Sequence, residues 1–291
     1  MFLYGLSLVL TAITFVFAAI PLKLLSERLS PVFYWSIGGA ISAGLFFSSG
    51  VILAISFLSL LLLVGMYDFF SKKGQSLEAA TVYSLLISSL VGLSSFDLVK
   101  KQLGPETLAK LRLGLAEMIS SSKSIKTENI EEVVDKILVQ IPSGVVILLI
   151  VSLFLAICFT GYFNKVSTSK AVMIREHLKS FTLPNVTLWL LMAALLGSFL
   201  ELDKALDWAS TLSLNALNVF VVLYFFQGLA VLYTFFDCFK VGKFSRVFWT
   251  VLFVLQLFLA LSLIGVADFW LDFRKKFKLK AAKISIEKFK N

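Results

Sequence analysis

Long apolar stretches alternate with short charged ones along the whole chain, and each long stretch has the length of a membrane crossing. Uncharged runs cover Met1 to Leu22, Leu29 to Tyr67, Ala79 to Phe96, Ile137 to Asn164, Ser180 to Leu200, Ala209 to Phe236 and Val247 to Ala267. A helix needs about 20 apolar residues to span a ~30 Å hydrocarbon layer. The run from Leu29 to Tyr67 is long enough for two crossings. The pattern therefore predicts an all-α, polytopic integral membrane helix bundle of about eight transmembrane helices.

Between the fourth and fifth spans the period changes. After Gly104 and Pro105, apolar side chains recur at Leu108, Leu111, Leu115 and Met118, and again at Ile130, Val133, Val134, Ile137, Leu138 and Ile141. Both sets follow one helix face, and Asn129 with Glu132 has the spacing of a capping box. Residues 97–140 thus read as an amphipathic helical hairpin lying on the membrane surface, or alternatively as a docking site for a partner helix. The chain divides accordingly into a four-helix half (1–96), the insertion (97–140), a second four-helix half (141–271) and a basic amphipathic tail (272–291).

Small residues repeat every fourth position in two spans, at Ser36, Ala40 and Gly44 and at Ala80, Ser84, Ser88 and Gly92. Such rows let neighbouring backbones approach where lipid supplies no hydrophobic drive for association. Helix packing within the chain is one use for them, and contact with another subunit is the other. The prolines Pro21, Pro31, Pro105, Pro142 and Pro184 stand at expected boundaries. Trp35, Trp189, Trp208, Trp249 and Trp270 lie near run ends, where indoles anchor at headgroup depth.

Composition agrees with a lipid environment: of 291 residues 58% are hydrophobic and 15% charged, and 29 are Phe. The first Lys is Lys23, beyond the first apolar run, so that run reads as a retained helix rather than a signal peptide. Topology receives two opposed signals. The first, third, fifth and seventh loops hold two, two, four and three Lys+Arg, but Arg274 to Asn291 has eight basic residues and one acidic one. With eight spans the tail falls on the opposite side from those loops, and the inside-positive rule is not obeyed by both. The tail is the denser cluster, which favours both termini in the cytoplasm. The net charge of +9 speaks for anionic lipid headgroups, with no call for nucleic acid.

Catalytic chemistry has little to work with. His177 is the single histidine, in a polar loop, and neither a metal-ligand pair nor a Walker A loop occurs. Cys158 and Cys238 have no CxxC spacing. The expectation is a non-enzyme without metal or cofactor. The most polar span is the seventh, with Asn215, Asn218 and Gln227. Its amides are candidates for interhelical hydrogen bonds or for the polar lining of a ligand site. Asn215 and Asn218 share a face with Tyr233 and Asp237, and Gln227 points elsewhere. Beyond the last span Asp268, Asp272 and Arg274 suit a structural ion pair. Arg274, Lys275, Lys276, Lys278 and Lys280, interleaved with Phe269, Phe273 and Phe277, suit a membrane surface or a partner. No carboxylate falls inside an apolar run, which leaves no ion relay and argues for an energising partner.

Three stretches carry a family likeness: Leu183 to Trp189 (LPNVTLW), Asn215 to Leu232 (NALNVFVVLYFFQGLAVL) and Gly265 to Lys276 (GVADFWLDFRKK). They resemble the YybS-like family of predicted bacterial membrane proteins, matching at Pro184, Asn218, Gln227, Gly228, Gly265, Asp268, Asp272, Phe273 and Arg274. The first third is similar to it more loosely, and is also similar to substrate-binding subunits of energy-coupling-factor transporters and to rod-shape membrane proteins of the MreD type. The resemblance implies a multi-pass protein of the bacterial inner membrane and transfers no catalytic residue. Together these features lead to a small-molecule-binding, transporter-like subunit without its own ATPase, with Asn215, Asn218 and Gln227 as ligand contacts. The alternative is a structural or assembly scaffold for other envelope proteins.

Overall fold

A computed structural model describes residues 2–48, 50–121, 130–163, 179–199 and 207–290, and no strand occurs among them. The chain forms two compact units, Met1–Ser167 and Thr168–Asn291. The first contains α1 (Phe2–Ile13), α2 (Ala19–Arg28), α3 (Pro31–Ser48), α4 (Val51–Lys72), α5 (Leu77–Ser94), α6 (Phe96–Ser121), α7 (Ile130–Val139) and α8 (Ile141–Phe163). The second contains α9 (Asn185–Phe199), α10 (Asp207–Cys238), α11 (Lys243–Gln256), α12 (Phe258–Leu271) and α13 (Phe273–Lys290). The unit boundary differs from the expected halves, because α8 packs with α2 and α5.

The count of eight spans is not reached. Among the described residues five helical stretches are long and apolar enough to cross: Pro31–Ser48, Val51–Lys72, Leu77–Ser121, Ile141–Thr160 and Trp208–Cys238. The pair α11 and α12 makes a sixth only if its 100° bend lies within one span, while α1 and α9 are shorter apolar helices. The first run is broken as well. Phe15 takes a left-handed φ of 49°, a 3-10 turn follows at Val16–Ala18, and the chain restarts as α2 instead of a loop. Pro21 sits in the first turn of α2, where its missing N–H costs no helical bond.

Helix α1 shows the inverted polarity of a helix in lipid. Phe2, Val9 and Ile13 are exposed, whereas Tyr4, Ser7 and Thr11 are buried. Tyr4 donates to the Tyr34 carbonyl at 2.8 Å and Ser7 to the Ala18 carbonyl at 2.9 Å. With no water to bind, these hydroxyls are met from inside the chain. Of the two small-residue rows, only that on α5 is covered: Ala80, Ser84 and Ser88 are buried, and Ser88 donates to the Ser59 carbonyl of α4. On α3 the row Ser36, Ala40 and Gly44 is exposed, and α4 instead packs against Tyr34, Gly38 and Ser42. Trp35 also turns inward, its ring filling the space beside Gly65 of α4.

The hairpin is real in its described parts. Gly104 (φ 68°, ψ 164°) breaks α6 ahead of Pro105, and Arg112 bridges to Asp135 of α7 at 2.7 Å. Lys136 bonds Glu132 at 2.7 Å and holds that exposed carboxyl below its ordinary pKa. Asn129, the other half of the expected capping box, lies outside the described residues.

In the second unit α10 and α12 touch backbone to backbone. A Cβ at Gly228 would overlap the Leu261 carbonyl, and one at Gly265 the Tyr224 carbonyl. Tyr224, Leu188 and Leu191 form a buried cluster on one side, and Phe225, Leu229 and Leu261 on the other. Gly265→Val or Gly228→Val should force these helices apart and destabilise the protein by about 1–3 kcal/mol. Gly44→Val, with open space around its Cβ, should leave the midpoint of thermal unfolding in detergent nearly unchanged.

Candidate functional site

Lys23 and Asp68 each lie one residue beyond the end of an apolar run, and the fold joins them. Lys23 is 7% exposed and Asp68 6%. The ammonium of Lys23 is paired with Asp68 Oδ1 and, at 3.0 Å, with Glu27 Oε1 one helical turn on. It also stands 5.4 Å from the centre of the Tyr67 ring. The other carboxylate oxygen of Asp68 is met by the hydroxyl of Ser26, so α2 presents Lys23 and Ser26 to the same group on α4. Burying a charged pair is costly unless each partner is bonded, and here each carboxylate oxygen has one partner, with the Ser26 hydroxyl also within reach of the Lys23 carbonyl at 2.8 Å.

Beside this cluster opens a cavity of about 270 Å³. Tyr34, Trp35, Pro31 and Phe69 give it apolar walls, Asp68 and Ser26 line it, and the exposed Lys72 and Lys73 contribute cations. The Tyr34 hydroxyl is spent on the Leu61 carbonyl at 3.0 Å, which fixes the ring as a wall. Lys72 Nζ reaches the Ser26 carbonyl at 3.4 Å, and Lys73 Nζ lies 4.4 Å from the centre of the Phe69 ring. An aromatic cleft with a few convergent polar groups is the usual form of a small-ligand site, and this one falls just below the usual size range.

Asp68 overturns the expectation that no carboxylate enters a span. It belongs to α4, within the candidate span Val51–Lys72. The signal available in the sequence was the spacing of Lys23, Ser26 and Glu27 on one helix face. Their partner lies 45 residues away from Lys23 and has no periodic relation to them.

Of the expected ligand residues of α10, Gln227 and Asn215 make hydrogen bonds within the chain. Gln227 is buried; its Nε2 donates to the Gly265 carbonyl at 2.9 Å and its Oε1 accepts from the Leu183 amide at 3.0 Å. Both ends of the amide therefore tie α10 to α12 and to the segment entering α9. Asn215 donates to the Thr211 carbonyl one turn back at 2.9 Å, and both Asn215 and Asn218 are half-buried. Gln227 stands nine positions from Asn218, a half-turn out of phase on the helix.

Arg274 forms the ion pair expected of it with Asp268, and it is half-buried rather than part of the exposed basic surface. It bonds Asp268 Oδ2 at 2.7 and 3.0 Å and reaches the carbonyls of Lys179 at 3.3 Å and Phe181 at 3.1 Å. Asp272 takes no part in this pair, since it ends α12 with a left-handed φ of 47° and is exposed. Lys275, Lys276, Lys278 and Lys280 are exposed on α13, and Phe277 packs on Phe235 of α10 and on Phe239 just beyond its end. His177 lies outside the described residues, and no cluster of metal-ligating side chains occurs among the described ones.

The model of a family described as "predicted membrane protein (DUF2232)" matches residues 1–269. No curated protein and no solved structure matches the chain. The family description is coarser than the likenesses drawn from motifs: it carries the membrane assignment, and neither the YybS-like name nor a transporter subunit.

Removing one member of the Lys23–Asp68 pair leaves a buried charge without its partner. Asp68→Ala and Lys23→Ala should each destabilise by about 3–5 kcal/mol, and the double change Lys23→Met with Asp68→Leu by clearly less than the sum. Reversible unfolding in mixed micelles measures this coupling. Gln227→Leu should cost about 1–3 kcal/mol by stranding buried backbone groups; the same assay checks it.

Proposed function

The chain belongs to the DUF2232 family of predicted membrane proteins, and from that premise we propose that it is a multi-pass protein of a bacterial cytoplasmic membrane. In this reading it binds a small molecule in the cavity beside Asp68, as a transporter-like subunit without an ATPase of its own. One observation carries the reading: a buried Lys23–Asp68 pair, with the exposed Glu27 as the second partner of the lysine, adjoins an aromatic-walled cavity of about 270 Å³. Intramembrane charges of this kind are most often part of a substrate or ion pathway. With a carboxylate beside the cavity, coupling to an ion gradient takes the place of a separate energising subunit. The ligand contacts move from Asn215, Asn218 and Gln227 to Ser26, Trp35, Phe69 and Lys72.

A scaffold for envelope proteins is the second reading. Its support is the exposed row Ser36, Ala40 and Gly44, which offers a second helix a close approach. The two readings part on what accompanies the purified protein.

Affinity purification in mild detergent, with mass spectrometry of bound small molecules and proteins, should recover a metabolite with the wild-type chain. Phe69→Ala and Lys72→Gln should reduce that metabolite at least tenfold at unchanged thermal stability, and Asn215→Leu should not. A metabolite lost with Asn215→Leu alone would return the site to α10. Envelope-assembly proteins in stoichiometric amount with no bound small molecule would favour the scaffold.

A further inference from the structure

The sequence sets the basic tail opposite the basic fifth and seventh loops, but contacts in the second unit bring all three together. Lys179, near the end of the fifth loop, pairs with Asp237 at the C-terminal end of α10. Arg246, at the start of α11, pairs with the same carboxylate and donates to the Val241 carbonyl at 2.9 Å and the Phe236 carbonyl at 3.0 Å. Arg274, at the start of α13, donates to the carbonyls of Lys179 and Phe181. Phe277 lies 5.4 Å from the Phe235 ring and 6.2 Å from the Phe239 ring. All these contacts sit at one end of α10. That helix has 32 residues and is about 48 Å long, more than a ~30 Å hydrocarbon layer.

Between leaving that end at Lys243 and returning to it at Arg274, the chain makes two helices of 14 residues that meet at 100°. Each is about 21 Å long, too short to cross alone. Phe253 and Phe258 reach the cluster of Phe225 and Leu229, and Val266 reaches Leu188 and Tyr224, well down the length of α10. The path goes in, turns and comes back.

We propose that α11 and α12 form a re-entrant pair that enters and leaves through one membrane face. The end of the fifth loop, the seventh loop and the tail then share that face. With them Lys275, Lys276, Lys278 and Lys280 make a basic surface that meets the anionic headgroups of the same leaflet. The opposed topology signals disappear, because they arise only if the last apolar run crosses. Backbone at the bend is bonded within the pair, the Leu257 amide donating to the Phe253 carbonyl at 3.1 Å and the Leu257 carbonyl accepting from the Leu261 amide at 3.0 Å, and the Phe258 ring of α12 lies 4.6 Å from that of Phe225 on α10.

The test uses the full chain with Cys158→Ser and Cys238→Ser and one added thiol at a time. Lys240→Cys in the seventh loop and Lys280→Cys in the tail should react with a membrane-impermeant maleimide from the same side of sealed vesicles. Trp208→Cys, at the far end of α10, should react from the other side. Labelling of Lys240→Cys and Lys280→Cys from opposite sides would overturn the re-entrant pair. In nanodiscs, replacing about a third of phosphatidylcholine by phosphatidylglycerol should slow labelling of Lys280→Cys at least threefold. Equal rates in the two lipids would overturn the headgroup contact.

Discussion

A bilayer interior offers no hydrogen bonds, so each polar group taken into it has to be met by another part of the same chain. The Lys23–Asp68 pair is the most demanding case. Both charges are buried beside an open cavity, and the ammonium is shared between Asp68 and the exposed Glu27 while the second oxygen of Asp68 is met by Ser26. The break at Phe15 precedes the separate helix, α2, that carries Lys23 and Ser26 to Asp68 of α4. Smaller cases are solved locally. Ser42 bonds the Gly38 carbonyl at 3.0 Å and Thr234 the Ala230 carbonyl at 2.8 Å, each one turn back on its own helix.

The second unit meets the same demand by other means. An amide, Gln227, replaces the ion pair as the central tie, and glycines at 228 and 265 let its helix come close enough to a neighbour for that tie to form. Its buried carboxylate, Asp268, is held by an arginine six residues on rather than by a distant helix. The difference bears on function. A local pair such as Asp268–Arg274 serves to turn the chain, whereas a pair drawn from two helices, with a cavity at its side, ties the shape of that cavity to the packing of α2 on α4.

Hydropathy alone was enough for the helical membrane architecture, because apolar runs of crossing length leave few alternatives. Periodicity served the second hairpin helix, where Val134 of the expected stripe is buried, better than the first, where Leu111 and Met118 are exposed and their neighbour Ile119 is buried instead. What escaped was contact between segments. Spacing marks Ser36, Ala40 and Gly44 as readily as Ala80, Ser84 and Ser88, but which row a neighbour covers depends on where α4 lies. The lysine and the aspartate of the candidate site each stood at a run boundary, where charges are ordinary. Asn215, Asn218 and Gln227 drew notice as amides in an apolar run, and for Gln227 that notice found a strut.

The break at Gly104 combines two locks. Its φ of 68° and ψ of 164° fall in a region that glycine alone occupies readily, and Pro105 disfavours the helical alternative for the residue before it. Beyond the break runs a rod of α6 from Pro105 to Ser121, about 25 Å long. A rod of that length is a lever. A change of a few tens of degrees at one peptide joint carries its outer end through roughly 10 Å or more, together with the helix bound to it by Arg112 and Asp135. Where the hairpin points is thus decided by two residues that touch none of what it reaches.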